Sequence, residues 1–136
     1  MTTLMLDTSV CIDLIRGEAA DLAAALARHR GGTVLVSAVT LAELRSGESR
    51  QALRRSRHTV DDLLAPFEVV PFDAAAAAAC GPLREALEGA GRRMGPLDTL
   101  IAAHALSIGA TVITGNLREF RRVPGLRVSA ALPLAP

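Results

Sequence analysis

Short apolar runs alternate with amphipathic stretches along most of this chain. In residues 95–116, Pro96 suits the first turn of a helix, apolar positions then recur at helical spacing, and Gly109 suits a helix C-cap. A β-branched run at residues 111–113 follows at once and is typical of a buried strand. Because a helix followed directly by a buried strand is half of a parallel unit, this segment predicts an α/β fold.

The same alternation continues through the rest of the sequence. Apolar runs predict strands at residues 4–6, 33–36, 67–70, 111–113 and 126–128, and a coil follows over 130–136. Amphipathic stretches predict helices at about residues 8–16, 19–30, 38–46, 48–64, 74–88 and 96–108, with Thr8, Ser9, Ser37 and Asp73 as N-caps and Gly47 as a stop. The predicted fold is a three-layer α/β/α sandwich with a mostly parallel central sheet of four to five strands, in one domain spanning residues 1–136.

Composition narrows the classes of function. The net charge is +1, so no global basic field attracts nucleic acid, and all fifteen basic residues are Arg. Trp and Tyr are absent, which removes the usual aromatic platform for stacking bases. Cys11 and Cys80 do not have metal-ligand spacing. Neither a signal peptide nor a long apolar span is recognisable, which predicts a cytoplasmic protein without membrane contact.

Acidic and amide side chains recur where the predicted strands end. Asp7 ends the first strand, and Glu43 lies in the helix after the second. Asp98 lies at the start of the helix before the fourth strand, and Asn116 lies just beyond that strand. Because parallel sheets bind ligands at the carboxyl ends of their strands, these four groups are predicted to meet if the three strands are neighbours. Close carboxylates repel one another, and a hard cation such as Mg²⁺ or Mn²⁺ relieves that repulsion. Such a site suits metal-assisted hydrolysis of phosphodiesters, although each residue also has a structural interpretation as a cap, surface or turn residue.

Other polar residues are assigned simpler roles. His104 lies on an apolar helix and is interpreted as a core or interface histidine, while Asp13 and Glu119 are interpreted as surface residues. Contacts to the phosphates of a nucleic acid are predicted for basic residues only, since no aromatic platform exists. The candidates are Arg45, Arg92, Arg93 and the cluster of Arg50, Arg54, Arg55 and Arg57.

Four segments resemble the PIN domain family and, more narrowly, the VapC-type toxins of bacterial toxin–antitoxin pairs. They are LDTSV at 6–10, LAELRSG at 41–47, LDTLIAAHALSIGATVITGN at 97–116 and REF-x-x-VPGL at 118–126, and they occur in the family's order. The resemblance implies a metal-dependent endoribonuclease that cleaves tRNA, rRNA or mRNA. It also implies silencing by a cognate antitoxin and assembly as a homodimer.

The resemblance also assigns residues. Carried over position by position, it implies the acidic metal ligands Asp7, Glu43 and Asp98 and the supporting hydroxyls Thr8 and Thr114. Asn116 matches a fourth position that is Asp in many members and Asn in others. Because Asn116 carries no charge, the site is expected to hold one metal ion firmly. The ending VSAALPLAP departs from the acidic or aromatic ending of many relatives, which leaves the packing of the C-terminus open.

Several rival classes are weighed against these residues. A response-regulator receiver domain and a haloacid-dehalogenase-type phosphatase both need a Lys, and the second also wants an Asp where Ser9 stands. The phosphate-binding P-loop motif is absent. The alternative that stays open is a non-catalytic PIN-like module that binds RNA or protein. It would keep the fold and lose the metal ligands, so the presence of Asp7, Glu43 and Asp98 favours the enzyme.

Overall fold

The centre of the computed structural model, which describes residues 2–29, 32–50, 52–53 and 55–132, is a five-stranded parallel sheet. The strands are β1 (Thr2–Leu6), β2 (Gly32–Ser37), β3 (Glu68–Val70), β4 (Thr111–Ile113) and β5 (Val128–Ser129). Their order is β3-β2-β1-β4-β5, and every neighbouring pair is parallel. The first, second and fourth strands are therefore neighbours, and the predicted parallel α/β sandwich is confirmed.

Helices cover both faces of this sheet. They are α1 (Thr8–Arg16), α2 (Ala20–Arg28), α3 (Ala38–Ser49), α4 (Val60–Leu64), α5 (Ala74–Gly89), α6 (Pro96–Ile108) and α7 (Leu117–Phe120). The predicted N-caps Ser37 and Asp73 are confirmed, since their side chains accept hydrogen bonds from Val39 N and Ala76 N. Gly109 ends α6 in the left-handed conformation, with φ of 67°. Within the described ranges, no helix is both long and apolar enough to cross a membrane.

Two apolar clusters lie on opposite faces of the sheet because side chains alternate along each strand. On β1, Leu4 and Leu6 pack into the cluster that includes the buried side chains of α1 and α4, whereas Met5 packs into the cluster that includes those of α5 and α6. All three side chains have no exposed surface. The middle strand is therefore fixed from both sides, and the residue that follows it, Asp7, is held equally firmly.

The polar segment after α3 departs from the prediction of one helix over 48–64. α3 runs through Gly47 to Ser49, and only Val60–Leu64 is helical afterwards. Gly47 serves close packing, because a Cβ there would lie 2.9 Å from Leu53 Cδ1. Thr59 begins α4 with a capping box, which gives the backbone a start signal that periodicity alone did not reveal. Gln51 and Arg54 lie outside the described residues.

Smaller departures occur at the ends of elements. α1 is capped by Asp7 instead of Thr8 or Ser9, and α7 was not predicted because it has only four residues. β5 begins at Val128, two residues later than expected, because Thr114 N donates to Ser129 O and fixes the register against β4. α2 ends at Arg28, earlier than the predicted end at Arg30, because His29 is already extended. Arg30 itself and most of the predicted C-terminal coil, residues 133–136, lie outside the described residues.

Candidate active site

Asp7 is the most rigidly held acidic residue at the carboxyl edge of the sheet. Its side chain is 1% exposed. Oδ1 accepts hydrogen bonds from Ser9 Oγ at 2.7 Å and from Val10 N at 3.0 Å, and Oδ2 accepts one from Thr114 Oγ1 at 2.5 Å. Burial raises the pKa of Asp7, and these hydrogen bonds oppose that rise. Asp7 therefore caps α1 and faces the sheet edge at the same time.

Thr8 places Glu43 beside Asp7. The Thr8 hydroxyl donates to Glu43 Oε1 at 2.6 Å and lies 3.2 Å from Thr40 Oγ1, which is one helical turn before Glu43 on α3. Thr8 and Thr40 are both buried, and Glu43 is half-buried. A hydroxyl in the first turn of α1 thereby orients a carboxylate on α3.

Asp98 lies in the first turn of α6 and is half-buried. Burial, followed by the negative charges of Glu119, Asp7 and Glu43, raises the pKa of Asp98 to about 6. Three of the predicted residues and one unpredicted carboxylate therefore share one electrostatic neighbourhood. These are Asp7, Glu43, Asp98 and Glu119, which we call the acidic cluster.

Glu119 corrects the interpretation of that residue as a surface carboxylate. Its Oε1 accepts a hydrogen bond from Gly95 N at 2.8 Å, and its Oε2 accepts one from Asn116 Nδ2 at 2.6 Å. Among the neighbouring charges, Glu119 has the largest effect on Asp98. Periodicity missed Glu119 because α7 is too short to show a helical pattern, but the REF segment of the resemblance already contained it.

Asn116 lies beside the acidic cluster at the exposed start of α7. Its backbone N–H donates to Thr114 Oγ1 at 2.8 Å, while its side-chain N–H donates to Glu119. The same Thr114 hydroxyl donates to Asp7, so Thr114 connects the turn after β4 to the turn after β1. Gly115 N reinforces this connection by donating to Ser9 Oγ at 3.2 Å. These hydrogen bonds hold the turn after β4 against the turn after β1.

The donor set fits a hard divalent cation that keeps part of its water. Every candidate ligand atom in the acidic cluster is a carboxylate oxygen, and Asn116 adds an amide oxygen. Among the described residues, no three acidic, His or Cys side chains form a ready-made cage for an ion. Hydrogen bonds to Ser9, Thr8 and Gly95 hold the carboxylates, and Mg²⁺ is commonly bound through only one or two carboxylates with water completing its shell.

Comparison with known proteins assigns the family. The sequence model of the PIN domain family matches residues 4–126. The chain belongs to the PIN domain family. This PIN domain is 39% identical over 128 residues to the tRNA(fMet)-specific endonuclease VapC of Shigella flexneri, covering 93% of this chain and 96% of that protein. The protein of the same name from Salmonella typhimurium is 36% identical over 129 residues, with 94% and 97% covered.

Solved structures agree with this assignment. A chain of VapBC2 from Rickettsia felis, solved bound to a DNA fragment from its promoter, matches with a TM-score of 0.81 at 31% identity, covering 94% of this chain and 98% of its own. A chain of VapBC-5 from Mycobacterium tuberculosis, a member of the VapBC family of toxin–antitoxin systems, matches with a TM-score of 0.68 at 28% identity, covering 95% and 97%. The predicted family and its fold are therefore confirmed.

The candidate RNA-contacting arginines of this PIN domain differ in availability. Arg45 donates to Glu48 at 2.9 Å and to Asp61 at 2.6 Å, and these ion pairs raise its pKa. Arg92 and Arg93 are exposed in the segment between α5 and α6. Phosphate would have to compete with two carboxylates for Arg45, which makes Arg92 and Arg93 the stronger candidates.

His104 is a core residue, as predicted. It is 1% exposed, its Nδ1 lies 2.8 Å from Ser37 Oγ, and its ring meets that of Phe72 edge-on at 5.4 Å. Burial lowers the pKa of His104, and the charge of Asp73 opposes that decrease. The neutral imidazole therefore joins α6 to the cap of α3 instead of binding a ligand.

Proposed function

We propose that this PIN domain, spanning residues 1–136, is a cytoplasmic, metal-dependent endoribonuclease that acts as the toxin of a toxin–antitoxin pair. The observation that carries the proposal is the acidic cluster, whose mutual charge and burial raise the pKa of Asp98 to about 6. An uncompensated cluster of this kind is costly, and such sites are typical of function. The VapC relatives that share most of the chain, named as endonucleases, support the same reaction class.

The ligands that we propose for Mg²⁺ or Mn²⁺ are Asp7, Glu43, Asp98 and Asn116, and we add Glu119 because its carboxylate belongs to the same acidic cluster. When bound, the ion supplies an activated water and neutralises charge on the phosphate. The protein's own contribution is to hold these oxygens in place. Thr114 and Ser9 fix both oxygens of Asp7, and Thr8 fixes Glu43. Because these bonds exist before the substrate arrives, little reorganisation is needed during the reaction.

The direct test of the proposal is to incubate the purified protein with total RNA and Mg²⁺ or Mn²⁺ and to sequence the new RNA ends. We expect cuts at a small number of positions, which would also name the substrate. An Asp98→Asn protein prepared in parallel controls for contaminating nucleases. If neither the wild-type nor the variant sample gives RNA ends beyond those of a protein-free control, the chain is a non-catalytic binding module.

Asn116 is predicted to set how strongly the site attracts metal. Asn116→Asp adds a negative charge beside Glu119, so we expect tighter binding of Mg²⁺ or Mn²⁺ and room for a second ion. Asn116→Ala should reduce RNA cleavage less than Asp98→Ala does, because it removes a neutral ligand. Titration calorimetry on the wild type and both Asn116 variants measures affinity and stoichiometry. Unchanged values in both variants would make Asn116 a turn residue only.

The proposed protein partner is a cognate antitoxin, and the proposed assembly of the toxin is a homodimer. An apolar groove of about 580 Å³ lies between α1, α2 and α4 and is lined in part by Leu14, Leu26, Leu63 and Phe67. The mean hydropathy of the chain is +0.32, which is high for a chain with an exposed surface. An amphipathic helix docked in such a groove would bury this apolar surface. A basic residue from the same partner would suit the acidic cluster.

Expression in bacteria is expected to reveal this partnership. The chain alone should arrest growth, and co-expression with the small protein encoded beside it should restore growth and yield a stable complex. Growth with the Asp98→Asn variant separates toxicity by cleavage from toxicity by overexpression. A wild-type chain that is monomeric, freely soluble and harmless alone would contradict this prediction.

A further inference from the structure

Two arginine-bearing segments meet next to the acidic cluster. The segment between α5 and α6 carries Arg92 and Arg93. The second segment carries Arg118 in α7, Arg121 at the C-cap of α7 and Arg122 after it. Arg122 Nη1 donates to Arg93 O at 2.8 Å, and Gly95 N donates to Glu119 Oε1 at 2.8 Å. We call these five residues, Arg92, Arg93, Arg118, Arg121 and Arg122, the arginine edge.

Among the described residues, the guanidinium groups of the arginine edge have no acidic partner. Four of them are exposed and that of Arg122 is half-buried. Within the part of the chain that the structure describes, ion pairs involve Arg45 alone. The one carboxylate in these segments, Glu119, is bonded to Gly95 and Asn116. One third of the fifteen basic residues therefore lies at this edge without a counter-charge.

Packing holds α7 in one orientation. Phe120 is fully buried and Val123 is 3% exposed, so the apolar side of this segment faces the core. Arg118 and Arg121 are three residues apart, a spacing that places helical side chains on a common face. Phe120, the single aromatic residue of α7, therefore packs into the core, whereas Arg118 and Arg121 are exposed and can contact a ligand.

The arginine edge continues into a recess beside α6. This recess has a volume of about 310 Å³, with Arg84, Arg93 and Glu88 as its charged lining and Leu87, Met94 and Pro96 among its other lining residues. Thr99, the residue after Asp98, also lines it. A recess of this volume, with both polar and apolar lining residues, suits part of a nucleotide.

We propose that the arginine edge binds backbone phosphates of the RNA next to the bond that is cut, an inference that rests on the proposed function. The acidic cluster repels a polyanion, and a net charge of +1 offers no general attraction. Local cations must therefore bring the RNA to the site. Guanidinium groups bind phosphate with two parallel hydrogen bonds, and they need no aromatic platform. The apolar groove between α1, α2 and α4 suits a protein helix better than this charged edge does.

The test is the salt dependence of RNA binding. A short fluorescein-labelled single-stranded RNA is titrated with protein in Mg²⁺ by fluorescence anisotropy, with Asp98→Asn as the background so that the probe stays intact. Arg92 and Arg118 are exposed, and among the described residues their side chains make no hydrogen bond, so Arg92→Gln/Arg118→Gln removes charge with little effect on packing. Each lost phosphate contact should reduce the slope of log Kd against log salt by about 0.7, or about 1.4 for the pair. In the cleaving protein, KM should rise while kcat stays the same.

Two matched proteins make the result specific. Arg16→Gln/Arg28→Gln removes the same charge from exposed last-turn positions of α1 and α2 and should keep the full slope. Arg92→Lys/Arg118→Lys keeps the charge and should also keep most of the slope. The inference is wrong if the Gln pair at the edge binds RNA as its background does, or if both Gln pairs lose the same slope.

Size-exclusion chromatography of the same proteins addresses a protein-binding role. If the Gln pair at the arginine edge changes the oligomeric state and leaves RNA affinity unchanged, the edge contacts a second copy of the chain and the inference is wrong. A wild-type chain that cleaves no RNA with Mg²⁺ or Mn²⁺ is a different result, because it overturns the proposed function itself. Cleavage by the wild type with unaltered KM in the edge variant overturns the arginine edge alone.

Discussion

Asp98→Asn is expected to abolish RNA cleavage while the fold is retained. Asp98 lies among three other carboxylates. Its burial and their negative charges raise its pKa to about 6. Asn has nearly the same shape but does not supply the negative charge that a divalent ion requires. Metal-assisted stabilisation of the transition state amounts to several kcal/mol, so the rate should fall roughly a thousandfold or more. Cleavage of a labelled RNA by purified protein measures the loss.

The matched control for this substitution is Asp21→Asn. Asp21 lies in the first turn of α2 and is exposed, whereas Asp98 lies in the first turn of α6 and is half-buried. Both changes therefore remove an acid from the positive end of a helix dipole. The Asp21 variant should cleave at the wild-type rate. If the Asp98 variant also cleaves at the wild-type rate, Asp98 serves only its helix and the site assignment is wrong.

Asp98→Asn is expected to stabilise the metal-free protein, although it abolishes cleavage. In the metal-free protein, the pKa of Asp98 is about 6, against 3.8 for an unperturbed Asp, so the folded chain binds this proton more tightly than the unfolded chain does. The free energy of unfolding should therefore decrease as pH rises from about 4 to about 6 and remain lower at neutral pH. Asp98→Asn removes this decrease. With solvent screening at this partly exposed position, we expect a gain of about 1 kcal/mol at neutral pH, measured by denaturant unfolding in excess chelator.

Removal of divalent ions is expected to stop cleavage completely, and addition of Mg²⁺ or Mn²⁺ is expected to restore it. The oxygen-only donors of the acidic cluster suit these hard cations, and their negative charge by itself repels RNA phosphates. The rate of cleavage of a labelled RNA, measured in excess chelator and again after each metal is added back, tests the dependence.

Two controls support the interpretation of that experiment. Circular dichroism in chelator should show an intact fold, because the hydrogen bonds that hold Asp7 and Glu43 do not involve an ion. The Asp98→Asn protein should stay inactive after metal is added. Full cleavage by the wild type in excess chelator would point to a metal-free nuclease or a contaminant.

Local patterns predicted those parts of the fold in which short-range signals agree. The helix at Pro96–Ile108 and the strand at Thr111–Ile113 have a start signal, an apolar core and a Gly C-cap within one segment, and the structure confirms both. The polar stretch after Ser49 has no such agreement. Its course depends on Leu53 packing against Gly47, a contact that no periodicity reveals.

The residues of the candidate site also differ in whether local sequence signals could identify them. Asp7, Asp98 and Asn116 could be named from the sequence because each stands at the end of a strand or helix that local signals define. Glu119 could not, because its importance comes from its hydrogen bonds with Gly95 and Asn116 and its effect on Asp98. Similarly, only the structure separates Arg45, which is ion-paired, from Arg92, which has no ion pair with any residue that the structure describes.

The sequence by itself determined the order of the strands and of the helices before α7, the aliphatic core, the family and three of the four carboxylates of the acidic cluster. These properties follow from residue type and spacing, which are local along the chain. The tertiary structure alone decided which strands are neighbours, that Thr114 holds Asp7, that Glu119 joins the cluster and that five arginines lie beside it. Each of these depends on contacts between residues far apart in sequence, which form only when the sheet and its helices pack together.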